Sequence, residues 1–251
     1  MNAETLAWRW RNGALQPIAF PATVQLDHLL GIDRQKAAAV QNTEQFVAGK
    51  PANHILLTGS RGTGKSSLVK ALLTEFAPRG LRLVEVHPQD LVDLPDVVAP
   101  LRGRPERFVL YVDDFSIASN DSALTALKAA LDGGIEEPAE NVLIYATSNR
   151  RHLTPALKSD NAEYRWENDE LNPGESTEEK VALSERFGLW LSFQPFSQVQ
   201  YIDAVRLHLT RLGVTGWNDE LKVLAQRWAL NRASRSGRVA QQFARDFAGK
   251  A

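Results

Sequence analysis

Apolar and polar positions along the chain fall into blocks. Five short runs, His54–Thr58, Leu81–Val86, Phe108–Val112, Val142–Ala146 and Leu189–Phe193, are built mostly of β-branched, leucine or aromatic residues. Most are continuous rather than alternating, which predicts strands covered on both faces, as in a parallel sheet. Helical spacing separates them. Ser66–Phe76 puts Leu68, Leu72 and Phe76 on one face and is followed by Gly80, a stop signal. Asp121–Leu131 groups Leu124, Leu127, Ala130 and Leu131 in the same way. Strands alternating with helices predict βαβ units and a doubly wound α/β domain, with a central, mostly parallel five-stranded sheet flanked by helices.

Two regions depart from this rhythm. Residues 152–184 hold Pro155, Pro173, Gly174 and an acidic run, and read as a long loop with partial helix. After the last apolar run, Pro195 and Phe196 lead into Ser197-x-x-Gln200, a capping box. Three helical stretches follow, roughly Ser197–Leu212, Asn218–Leu230 and Ser236–Phe247, with no further strand. The tail therefore predicts a small all-helical lid. The expected division is an N-terminal segment over 1–50, an α/β domain over 51–195 and a helical lid domain over 196–251.

One stretch carries specific chemistry. Gly59-Ser60-Arg61-Gly62-Thr63-Gly64-Lys65-Ser66 matches the phosphate-loop pattern G-x-x-x-x-G-K-[ST] at every required position. Its glycines let successive backbone N–H groups converge on a phosphate, and the helix starting near Gly64 adds its positive end. Gly59 through Ser67 are the expected nucleotide-binding residues, with Lys65 reaching the β- and γ-phosphates and Ser66 taking a position on Mg²⁺. A dinucleotide-binding reading fails, because Ser67 stands where a third glycine is required. The run Phe108–Val112 ends in Asp113-Asp114. A strand beside the loop strand that ends in Asp brings a carboxylate to the metal, so Asp113 joins Ser66 as a metal residue and Asp114 is the candidate to polarise an attacking water.

Composition narrows the setting. The 251 residues are 43% apolar and 24% charged, as in an ordinary globular protein. There is no cysteine, so disulfides, thiolate metal sites and cysteine nucleophiles are excluded. Met1 to Asn12 lacks the apolar stretch of a signal peptide, and no run approaches a membrane span; a cytoplasmic protein is expected. Net charge is −1 but unevenly spread. Asp160 to Lys180 carries eight acids against two bases, and Arg206 to Ala251 carries nine bases against three acids. These are either solvated faces or complementary surfaces for a neighbouring subunit or for phosphates.

The order of the remaining motifs resembles the AAA+ superfamily. Val142 to Arg150 is similar to its fourth strand, whose terminal polar sensor contacts the attacking water or γ-phosphate; the match is Asn149. Ser184-Glu185-Arg186-Phe187-Gly188 resembles the segment carrying an arginine finger, and Ser236-Gly237-Arg238-Val239 resembles the second sensor arginine on the lid. Most relatives carry Glu where this chain has Asp114, one methylene shorter. More closely, the chain resembles a bacterial AAA+ family known as domain of unknown function 815, through Leu30–Gln35, Pro51–Asn53, the loop through Ala71, Asp113–Ser116, Thr147–Leu153, Arg186–Trp190 and Arg235–Arg238. That resemblance implies that Leu30 to Asp33, Ile32 among them, line the adenine pocket.

The leading expectation is an ATPase with ATP and Mg²⁺ as cofactors, in which hydrolysis moves the lid and remodels an unknown protein partner. Arg186 is placed to act on a neighbour's nucleotide, which implies a homo-oligomer. The alternative is a DNA-associated nucleotide switch of helicase-loader or transposition-helper type, supported by the basic tail. A small-molecule kinase is the third reading; Arg186, Arg238 and the helical tail suit a lid and a finger better than an acceptor pocket. No membrane association is expected.

Overall fold

A computed structural model describes residues 4–115, 121–132, 137–149, 165–167, 170–172 and 185–250. The five apolar runs become parallel strands: β3 (Ile55–Gly59), β4 (Leu81–Glu85), β5 (Arg107–Val112), β6 (Val142–Ser148) and β9 (Leu189–Phe193). They are not the whole sheet. The N-terminus adds an antiparallel hairpin, β1 (Ala7–Arg11) and β2 (Ala14–Pro17), giving seven strands in the order β2-β1-β4-β5-β6-β3-β9 instead of the expected five. Trp8 and Trp10 face inward while Arg9 and Arg11 face water, and the Asn12-Gly13 turn has positive φ at both residues (52° and 71°). That alternation and that turn chemistry are a hairpin signal. β1 then joins the sheet by pairing parallel to β4.

Helices cover both faces. On β5, Phe108, Leu110 and Val112 point to one side and Val109 and Tyr111 to the other. The first side packs against the turn at Pro88–Asp93, α3 (Leu94–Val98) and α4 (Asp121–Asp132); the second packs against α1 (Asp33–Val47) and α2 (Lys65–Phe76). Each buried aliphatic or aromatic side chain in these layers contributes about 1.5–3 kcal/mol. The Tyr145 hydroxyl is satisfied by Thr43 Oγ1 at 2.9 Å and Asn42 Nδ2 at 3.3 Å, which locks α1 onto β6.

Three C-terminal helices, α5 (Gln198–Arg211), α6 (Asp219–Asn231) and α7 (Gly237–Ala248), share an apolar centre that includes Phe196, Val205, Leu221, Ala225, Ala240 and Phe243. Ser197 and Gln200 form the expected reciprocal cap on α5. The long loop expected over 152–184 lies mostly outside the described residues; within it β7 (Arg165–Glu167) and β8 (Glu170–Asn172) pair antiparallel. Among the described residues, no helix is long and apolar enough to cross a membrane.

The strand order positions the chemistry. β6 lies between β5 and β3, and all three run in the same direction. The phosphate-loop motif, Asp113-Asp114 and Asn149 therefore emerge at the same end of the sheet, where open α/β folds hold ligands.

Candidate functional site

At that end lies a cleft of about 600 Å³, roofed by α5 and α7 and closed on one side by residues 23–32. Its floor is the loop between β3 and α2. Gly59 has a φ of 128°, and a Cβ there would sit 2.0 Å from the Phe193 carbonyl oxygen on β9; only glycine lets the two strands approach so closely. The Ser60 carbonyl accepts from the Thr63 hydroxyl at 2.8 Å, so the buried Thr63 side chain staples the loop from within and only its backbone is left to serve a ligand. Gly62, at φ 76°, leaves no room for a side chain, since a Cβ there would sit 2.8 Å from the Ser236 hydroxyl and 3.1 Å from the Cβ of Arg238; its carbonyl accepts from the Arg238 N–H at 3.3 Å. Gly64 caps α2 in a left-handed conformation beside Ile32, itself buried at the start of α1.

Lys65 is only 5% exposed. Its ammonium donates to the Gly59 and Ser60 carbonyls at 2.8 and 2.9 Å and to Asn149 Oδ1 at 3.1 Å, all neutral acceptors. Burial pulls its pKa down; Asp114 and Asp113 act against that, and Arg238 and Arg61 add to it. A buried cation ringed by neutral oxygens, with loop N–H groups and a helix N-terminus around it, fits a phosphate group.

Beside it, Ser66 Oγ donates to Asp113 Oδ1 at 2.8 Å, and Thr147 Oγ1 donates to the same oxygen at 2.6 Å. Burial would raise the Asp113 pKa, but the hydroxyls of Thr147, Tyr111 and Ser66 gathered around it outweigh that and hold the carboxyl below its usual range. Among the described residues no group of three or more His, Cys, Asp or Glu side chains could hold a metal ion. One hydroxyl plus one carboxylate, completed by phosphate oxygens, is the kind of hard-oxygen set that suits Mg²⁺.

Asp114 has a φ of 55°, a left-handed conformation costly for a residue with a Cβ. It is held there by its N–H donating to Thr147 Oγ1 at 2.9 Å and by Asn149 Nδ2 donating to its carboxylate; Arg61 stands 4.0 Å away. Asn149 thus links Lys65 to Asp114.

Of the residues expected from sequence, Ile32, Arg61 to Ser67, Asp113, Asp114, Asn149 and Arg238 line this one cleft, with Gly59 and Ser60 directly beneath Lys65. Arg186 does not. It precedes β9, whose Leu189 pairs with Ile55 at the start of β3, so four residues of strand, roughly 13 Å, separate that level from Gly59. Several contributors carried no motif. Thr147 organises both aspartates, Tyr111 lies under Asp113, and His208, Arg211 and Gln241 reach the cleft from α5 and α7. Only the position of Thr147 within the sensor run hinted at a role. Burial, with the charges of Arg211, Arg245 and His28, lowers the His208 pKa to about 4. A separate hollow of about 530 Å³, lined by Trp10, Leu15, Asp93 and Asp96 among others, has no phosphate-loop motif and no basic side chain.

The sequence matches the family described as "Protein of unknown function (DUF815)" over residues 2–251. No curated protein matches it significantly. Among solved structures, the Thermotoga maritima RuvB P216G mutant superposes with a TM-score of 0.60 at 18% identity, covering 88% of this chain and 64% of that one. T. maritima RuvB, titled a Holliday junction branch migration motor, gives 0.52 at 14% identity, covering 89% and 71%. The Aeropyrum pernix ORC1 protein in complex with DNA gives 0.58 at 14%, covering 86% and 61%. At such identities the likeness establishes the fold, which is the AAA+ type. The chain spans less than two thirds of the length of the first of these structures.

Proposed function

This chain belongs to the DUF815 family, and from its site we propose that it is an ATPase of the AAA+ type that couples ATP binding and hydrolysis to remodelling of a protein partner in the cytoplasm. The observation that carries this reading is the meeting, in one cleft, of a buried lysine on a glycine loop, a hydroxyl–carboxylate pair, a strained aspartate and an arginine from α7.

Each side chain then has a role. Lys65 and the loop amides bind the β- and γ-phosphates. Ser66 and Asp113 would hold Mg²⁺, which when bound neutralises charge on the phosphates. Asp114 accepts from the attacking water and orients it, while Asn149 keeps the Asp114 carboxylate and the Lys65 ammonium in register. Leu30 and Ile32 border the adenine. Arg238 rests on Gly62 through its backbone, so a change at the γ-phosphate is felt directly at the start of α7. That contact supports α5 to α7 acting as a moving lid over 196–251.

The placement of Arg186 away from its own cleft supports a trans contribution in a homo-oligomer. Head-to-tail contacts of that kind build rings or filaments. A DNA-associated switch is the second reading, favoured by the exposed Arg206, Arg211, Arg227 and Arg245 on α5 to α7 and Arg232 at the end of α6. A steep fall in DNA affinity with salt is its signature.

The test is phosphate release from Mg·ATP by the full chain with no acceptor added. Asp114→Asn is expected to keep ATP affinity while turnover falls by roughly 10²-fold, the scale of general-base effects. Asp113→Asn is expected to lose metal-dependent binding as well. Full turnover in Asp114→Asn overturns the assignment.

A further inference from the structure

Tyr111 lies on the face of β5 that packs against α2, two residues before Asp113 and therefore on the same side of the strand. It is 2% exposed, and its hydroxyl oxygen is shut off from solvent. The hydroxyl sits close enough to Ser66 and Asp113 for each to perturb it, yet it makes no hydrogen bond of normal geometry among the described residues. A tyrosine at a β5 core position could be phenylalanine at no cost in packing. A buried hydroxyl left without a partner costs about 1–3 kcal/mol, so its presence calls for an explanation.

The neighbouring bonds supply one. Asp113 Oδ1 already accepts two short hydrogen bonds, from Ser66 at 2.8 Å and from Thr147 at 2.6 Å. A carboxylate oxygen offers about two lone-pair sites, so this oxygen is saturated. A phenol carries its proton at neutral pH, so the Tyr111 hydroxyl has a hydrogen to donate.

We propose that Tyr111 is a positioning residue of the metal site, a reserve donor that bonds Asp113 when Ser66 turns its oxygen to a cation. One donor leaves the carboxylate and another takes its place. Asp113 thereby stays anchored by two hydroxyls, Thr147 and Tyr111, with its aim at the cation unchanged. The inference rests on the nucleotide-and-metal reading of the site given above.

The test uses the full chain and Tyr111→Phe, with Mn²⁺ as a spectroscopic probe of the metal position. Three measurements are needed: the thermal midpoint without nucleotide or metal, ATP affinity in the presence of a chelator, and Mn²⁺ affinity of the ATP-bound protein by electron paramagnetic resonance. The expected result for Tyr111→Phe is a midpoint equal to or above that of the parent, unchanged chelator-insensitive ATP affinity, and Mn²⁺ binding weakened roughly tenfold or more, the scale of a hydrogen bond to a charged group. A merely structural hydroxyl would move the first quantity and not the third. A lowered midpoint shows a hydroxyl already bonded and overturns the exchange, as does undiminished Mn²⁺ affinity. If the parent itself fails to take up Mn²⁺ with ATP, the underlying reading of the site falls, and the exchange with it.

Discussion

Replacing Lys65 by methionine keeps most of the stem volume and removes the charge. The ammonium is held by three neutral oxygens at 2.8, 2.9 and 3.1 Å, and burial already disfavours its charged form. Methionine leaves those buried oxygens without that donor, so the swap is expected to cost about 1–3 kcal/mol in urea unfolding, too little by itself to unfold a domain of ordinary stability. Nucleotide binding is a different matter. A hydrogen bond from an ionised donor is worth about 1.5–3 kcal/mol net, and its acceptor here would be a charged phosphate. At 1.4 kcal/mol per decade, the loss corresponds to a roughly 10- to 150-fold rise in Kd for Mg·ATP. Isothermal titration of the full chain measures the affinity, and urea unfolding of the same preparation shows whether the fold is intact. A folded Lys65→Met protein that binds Mg·ATP with the parental Kd would refute the phosphate role. A variant already unfolded without denaturant would show that the ammonium is needed for the fold and not only for the ligand.

Two further outcomes are expected. If Arg186 acts in trans, specific ATPase activity rises with protein concentration, and Arg186→Ala abolishes the rise while ATP binding stays intact; a concentration-independent rate from a monomer by light scattering speaks against it. His54 Nδ1 accepts from the Ile144 N–H at 2.9 Å, and burial lowers its pKa to about 4 from 6.5. The folded-state value is the lower one, so the unfolded chain binds more protons between pH 6.5 and 4, and stability present above pH 6.5 is lost as pH falls through that window, by at most about 3 kcal/mol. His208 adds to the slope in the same direction. His54→Gln is expected to flatten the pH dependence of the unfolding free energy, and an unchanged slope would show that His54 is not its source.

The loop chemistry was legible in the sequence because it is contiguous. A turn that converges N–H groups on phosphate needs glycines at fixed offsets, and Gly59, Gly62, Gly64, Lys65 and Ser66 sit within eight residues. The five parallel strands were legible for a related reason: strands buried on both faces have to be apolar throughout. The hairpin at Ala7–Pro17 went unread although its Trp-Arg alternation and Asn12-Gly13 turn are local signals; the two arginines made the segment look polar, and only pairing with β4 shows where the tryptophans go. Other contacts leave no local signal along the chain, although the resemblance already pointed Asn149 and Arg238 toward the nucleotide. Lys65 meets Asn149 across 84 residues, and Arg238 rests on Gly62 across a still longer stretch of chain. Neither separation carries periodicity. Both contacts exist because β6 inserts between β5 and β3 and because α7 packs against the loop. Thr147, Tyr111, His208 and Arg211 belong to the same class. Each looks like an ordinary strand or helix residue along the chain. Its part in the site depends on which face turns toward Asp113 or the cleft, and that is settled by sheet order and helix packing, not by any neighbour in sequence.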